Sequence, residues 1–267
     1  MALQHELSTA SVLKLCSFIF WGLSYIWCTE KSQGHSPEWY SRVITLLHGT
    51  VATVAGLWQC GWCAWHIRFT AKITSANYAL MMWSWGYFAF DLFWCLLYWT
   101  TSYVILIHHA TALIAVGIYI NKPYSGCTFA CTLALMEITN PFLQTRWLLR
   151  DGGYGQTIIY YAVEIIYLVM FVVLRGPFCT YLIYKILNSD ILDTDEKIVS
   201  IVLYVVSIAF IYEILGYVTY KYKNKIEHNT VLPQSGLLHI LSRKFLLCPT
   251  SVKRNILIIL LIMTSIM

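Results

Sequence analysis

Three of the eight histidines in this 267-residue chain, His48, His108 and His109, fall inside long apolar runs that also hold Asp91 and Glu137. Imidazole serves as a general base or a nucleophile, and a carboxylate beside it sets its tautomer and stabilises its cation. An ionisable side chain at the centre of a membrane span costs roughly 2.5–3.5 kcal/mol on insertion scales, so each one calls for a functional explanation. Tyr87, Asp91 and Trp94 lie at i, i+4 and i+7, which puts them on one helical face and aims a carboxylate inward beside a phenol. His108 and His109 are adjacent and so about 100° apart on a helix, one to face a cavity and the other to brace it. Glu137, Asn140 and Gln144 line a third polar face, and Pro141 frees a carbonyl near Glu137. The site expected from these residues has His108, His109 and Asp91 as its reactive groups. His48, Tyr87, Trp94, Glu137, Asn140 and Gln144 are its substrate-binding groups.

Other polar residues read as structure. Glu164, with Tyr160 and Tyr167, and Glu213, with Tyr217 and Tyr220, have the spacing of interhelical hydrogen bonds. Lys14 and Arg146 are placed to snorkel to the interface. His48, His108, His109 and Asp91 are residue types that suit zinc, but adjacent histidines on a regular helix do not both turn to one ion. No metal is therefore included in the expected site. The absence of a His-x-x-His-His box argues against a membrane diiron oxygenase. The nine cysteines read as small hydrophobes in a bundle rather than a disulfide framework. Cys60 and Cys63 have dithiol spacing but no βαβ pattern around them.

The elements that carry these residues are membrane helices. Hydrophobic residues make up 58% of the chain and charged residues 12%, with a mean hydropathy of +0.63, too little polar surface for a soluble domain of this length. The apolar blocks are about 20 residues long, enough to cross a hydrocarbon core of roughly 30 Å. They fall at about 9–27, 39–62, 78–98, 101–120, 126–148, 156–186 and 198–220, which predicts an all-α polytopic bundle of about seven transmembrane helices, with six or eight left open. Arg175-Gly176-Pro177 interrupts the sixth block and predicts a kink or short re-entrant turn. Trp39-Tyr40, Trp62, Trp65 and Tyr98-Trp99 mark interface belts.

The first block lacks a convincing cleavage site and reads as a retained span. Lys221, Lys223 and Lys225 predict a cytosolic C-terminus, and counting back places Arg146 and Arg150 on the same side. Arg68 and Lys72 fall on the other. Residues 1–37 read as an N-terminal helix and loop, 38–222 as the main domain and 223–267 as a tail of no assigned role, ending in the apolar run 256–267. The net charge of +5 sits at membrane edges, with no basic stripe for nucleic acid. No span repeats charges along one face as an ion channel would.

Four motifs in order carry a family resemblance over about residues 38–222: His48, Gly86-Tyr87-Phe88-x-x-Asp91-Leu92-x-Trp94, His108-His109, and Glu137-Ile-Thr-Asn-Pro-Phe-Leu-Gln-Thr-Arg-Trp147. The chain resembles the TLC-domain family, shared by TRAM and the ceramide synthases, and is most similar to its small stand-alone members. The resemblance implies a role in membrane lipid homeostasis, with acyl lipids bound or regulated in an intramembrane cavity, and residence in the endoplasmic reticulum or another endomembrane. It also implies an alternative, acyl transfer from acyl-CoA to an amine through His108 and His109 with Asp91 in support. Ceramide synthases carry a second His-Asp motif and another Asp after the histidine pair, whereas here the only acid in that stretch is Glu137, which favours binding over turnover. A zinc-dependent intramembrane amidase is the third reading. The expected partners are membrane lipids, with no permanently bound cofactor and acyl-CoA only as a substrate.

Overall fold

The computed structural model describes residues 2–60, 72–98, 102–124 and 126–229, with side chains from 9 to 221 in those segments. Helices α1 (Ala2–Lys31), α2 (Pro37–Cys60), α3 (Ser75–Tyr98) and α4 (Tyr103–Tyr119) are followed by α5 (Gly126–Glu137) and α6 (Asn140–Asp151). Then come α7 (Ile158–Val173), a π turn (Leu174–Phe178), α8 (Cys179–Leu187) and α9 (Thr194–Asn229), with no strand among the described residues. A chain in lipid must satisfy its backbone groups internally, and the helix does so within one segment.

Among the described residues, five stretches are long and apolar enough to cross a membrane: Thr9–Lys31, Pro37–Cys60, Ser75–Tyr98, Ile158–Leu187 and Thr194–Lys221. Leu23, Trp27, Val54, Trp58 and Leu97 leave more than half of their surface exposed, the mark of faces turned to lipid rather than water. The protein is thus an integral, polytopic, all-helical membrane protein.

The fifth apolar block departs from the single helix expected over 126–148. It breaks at Ile138-Thr139, immediately before Asn140-Pro141. Proline has no amide donor and disfavours helical geometry at the residue before it, so the helix stops and restarts with Pro141 in its first turn. The two half-helices nevertheless lie end to end along α2 and antiparallel to it. Cys60 meets Cys131, Gly56 meets Ala134, Gly49 meets Asn140 and Arg42 meets Gln144. Small residues allow this approach: a Cβ on Gly56 would stand 2.7 Å from the Ala130 carbonyl oxygen and 2.9 Å from the Ala134 Cβ.

At the interruption in the sixth block, the helix neither stops nor re-enters. Residues 174–178 form one π turn, and the helical run continues across Pro177 from 158 to 187. A π turn absorbs the missing proline amide by widening one loop of the ladder.

Helix α1 packs on α3 through Gly86, where a Cβ would stand 2.6 Å from the Ser17 carbonyl carbon, and through Trp21, whose indole donates to the Trp83 carbonyl at 3.1 Å. Helix α9 crosses the boundary between two compact units, residues 1–208 and 209–267. In the second unit, the described part is the helical run 209–229, where Thr219 bonds the Leu215 carbonyl and Lys221 sits over the Tyr217 ring. The apolar run 256–267, with Trp62, Cys63, Trp65, Arg68 and Trp99, lies outside the described residues.

Candidate functional site

His48 lies halfway along α2 and is fully buried. Its ring stacks on Tyr87 of α3 at 3.7 Å between centroids, almost parallel, and Trp21 of α1 meets it edge-on at 5.7 Å. Nδ1 of His48 stands 3.7 Å from Oε2 of Glu137, and Nε2 is 3.5 Å from the Ser84 hydroxyl. Asn140 donates to the same Glu137 oxygen at 2.7 Å. Glu137 ends α5 and Asn140 begins α6, so the pair lies at the break before Pro141.

The second pair is formed by α3 and α4. Nδ1 of His109 stands 3.2 Å from Oδ2 of Asp91. Cys95 lies one turn along α3 from Asp91, and its sulfur, the Asp91 carboxylate and a His109 ring nitrogen are all within 4.8 Å of one another. The rings of His108 and His109 meet edge-on at 5.5 Å. Thr111 and Ala112, on the His108 side of α4, are buried.

Four of the expected site residues therefore form two imidazole–carboxylate pairs, His48 with Glu137 and His109 with Asp91. Tyr87 stacks on His48, lies one turn from Asp91, and donates its hydroxyl to Thr45 at 3.0 Å. Trp94 is buried and stacks on Tyr98 near the end of α3. Gln144 is not with them. It accepts a bond of 3.0 Å from Arg42 toward the N-terminal end of α2, where Arg42 also pairs with Glu38 and lies over the Trp147 ring.

Arg175 is a site residue that the sequence reading treated only as part of a helix interruption. The π turn carries it inward, where it is buried and donates to the Met136 carbonyl at 2.7 Å, at the end of α5. It approaches the Ser207 hydroxyl at 3.4 Å and acts electrostatically on Glu137 and His108. A guanidinium inside an apolar run of 30 residues was the signal available.

Two further expectations are corrected. Arg146 does not snorkel: its Nε donates to the buried Glu164 at 2.8 Å, joining α6 to α7, and Tyr160 donates to the same oxygen. The cysteines include a disulfide, Cys60–Cys131, with Cys127 sulfur 3.9 Å from Cys131. The Cys60–Cys63 spacing thus coincides with a different partnership for Cys60. Glu213 is exposed, and Lys14 lies over the Trp85 ring.

A groove of about 730 Å³ lies elsewhere, between α1 and the start of α3, lined by residues such as Leu13, Phe20, Tyr78 and Met82. None of the candidate site residues lines it.

Residues 38–212, about two thirds of the chain, match the family model described as the TLC domain. The match spans α2 to α8 and part of α9, and so includes both imidazole–carboxylate pairs. No solved structure matches the chain.

Proposed function

Since the chain belongs to the TLC-domain family, we propose that it acts in membrane lipid homeostasis by holding an acyl lipid within the bundle, beside the His48–Glu137 and His109–Asp91 pairs. One observation carries the reading. Two imidazole–carboxylate pairs lie in neighbouring helices of an apolar bundle, and Tyr87, one helical turn from Asp91, stacks on His48. Such pairs offer both donors and acceptors to a lipid headgroup or amide, while apolar helix faces accept the chain. The partners are membrane lipids, and the compartment is the endoplasmic reticulum or another endomembrane, with the C-terminus in the cytosol.

The alternative is acyl transfer. The approach of Asp91 to His109 favours it, because a carboxylate on Nδ1 orients an imidazole and stabilises its cation. Against it stands the single acid, Glu137, after the histidine pair, committed to His48 and Asn140.

Mass spectrometry of the full chain in lipid nanodiscs separates the two. With labelled acyl-CoA and candidate amines or lysolipids, the binding reading expects retained acyl lipid and no labelled product, with retention reduced in His48→Ala and His109→Ala. Labelled product that disappears in His108→Ala and His109→Ala would establish the transferase. Neither retained lipid nor product defeats both.

A further inference from the structure

The approach of Asp91 to His109 has an unusual feature. At 3.2 Å the distance suits a hydrogen bond, yet buried Nδ1 of His109 makes none. Cys95 completes the arrangement, one helical turn from Asp91 and buried, with its sulfur within 4.8 Å of both other groups.

We propose that Asp91, Cys95 and His109 bind a zinc ion. Zinc takes carboxylate oxygen and imidazole nitrogen at about 2.0–2.2 Å and thiolate sulfur at about 2.3 Å in a tetrahedron, so its donors stand roughly 3.3–3.6 Å apart. The oxygen–nitrogen edge, at 3.2 Å, is already close to that length, and the sulfur needs to close by about 1.2–1.5 Å at most, within reach of side-chain rotations. The donor set is the one that zinc favours among divalent ions, a borderline-soft mixture of sulfur, nitrogen and oxygen.

Charge supports the assignment independently of distance. One carboxylate, one thiolate and a neutral imidazole sum to −2, which a divalent cation cancels. A neutral centre is what a low-dielectric bundle tolerates. Of the other buried acids, Glu137 accepts from Asn140 and Glu164 from Arg146.

Three protein ligands leave the fourth position open, as in zinc sites that bind a water or a carbonyl oxygen. The His109 side chain is 16% exposed, which gives that position a way in. His48 and Glu137 form their own pair and are not ligands. The assignment does not rest on the lipid reading, since a lipid carrier without metal and a zinc protein without lipid are both distinguishable. A metal on His109 removes that ring from nucleophilic chemistry and leaves His108 for any acyl transfer.

The test is metal analysis of the full-length protein, stripped with chelator in detergent, reloaded with zinc alone and desalted. Near-stoichiometric zinc is expected, falling roughly tenfold or more in Asp91→Asn, Cys95→Ala and His109→Ala while the exposed Cys16→Ala keeps it. If a variant fails to fold, the wild-type chain loaded with cobalt decides: a thiolate-to-cobalt charge-transfer band is expected in the near ultraviolet. Substoichiometric zinc in the wild type, zinc retained in Cys95→Ala, or a cobalt spectrum without the thiolate band overturns the proposal.

Discussion

Buried ionisable residues in this bundle come with partners, and the physical consequence is that single substitutions are more damaging than double ones. Glu164 is fully buried and its charge is met by Arg146 from the neighbouring helix. Arg146→Met leaves that carboxylate without its cationic partner and is expected to destabilise the protein by about 3–5 kcal/mol. Adding Glu164→Leu recovers most of the loss, as a thermal unfolding series in detergent would show. A double variant no more stable than the single one contradicts the pairing. Glu137 is held by a neutral amide and an imidazole. Glu137→Leu leaves the half-buried Asn140 without its acceptor and buried His48 without the neighbouring carboxylate, and is expected to lower stability by about 1–3 kcal/mol. Glu137→Gln, which keeps an oxygen for Asn140, should lose less.

Helix packing turns on a few positions without side chains. Gly86 opens the motif that runs to Trp94, and its hydrogen lets the backbone of α1 approach α3. A methyl group there meets Ser17, so Gly86→Ala is expected to destabilise by about 1–3 kcal/mol despite alanine being the better helix former. Gly22 in α1 has nothing within 4 Å of its absent Cβ, and Gly22→Ala is expected to be neutral or stabilising by up to about 1 kcal/mol. Opposite signs for two glycine-to-alanine changes in adjacent helices are a readout that general helix propensity does not produce. The loop after α4 is tied to the start of α9 by Lys122, which bonds Asp193 at 2.7 Å and Asp195 at 3.0 Å. These two hydrogen bonds raise the Lys122 ammonium above the usual lysine range. Its contribution is therefore complete below the ordinary lysine pKa and fades only as pH rises through the higher folded value, so the tie persists at neutral pH. Asp193 is largely exposed, which keeps its energetic weight small.

Across the bundle of residues 1–208, the two ends differ in chemistry. One end gathers Lys31, Arg42 and Arg150, at the close of α1, the start of α2 and the close of α6. The other has the Cys60–Cys131 disulfide, the acidic Asp193 and Asp195, and the basic Lys72, Lys122 and Lys185. Disulfides persist in oxidising compartments, so the end of the bundle that carries Cys60–Cys131 is expected to face one. Non-reducing electrophoresis should show faster migration of the wild type than of Cys60→Ser or Cys131→Ser. Loss of this cross-link across 71 residues is expected to lower stability by about 2–4 kcal/mol. Free thiols at both positions in membranes quenched with alkylating agent would reverse the orientation argument. Hydropathy and composition alone determined that the chain is a membrane helical protein, and the four ordered motifs determined its family, because both are properties of residue type and linear spacing. Which imidazole meets which carboxylate was decided only in three dimensions. Helical periodicity assigns Tyr87 and Asp91 to one face of α3, but the rotation and register of α2 and α4 give Tyr87 to His48 and Asp91 to His109. The disulfide, the Arg146–Glu164 pair and the inward turn of Arg175 are contacts between residues 71, 18 and 39 positions apart. Spacing along one helix carries no information about the neighbour it will face.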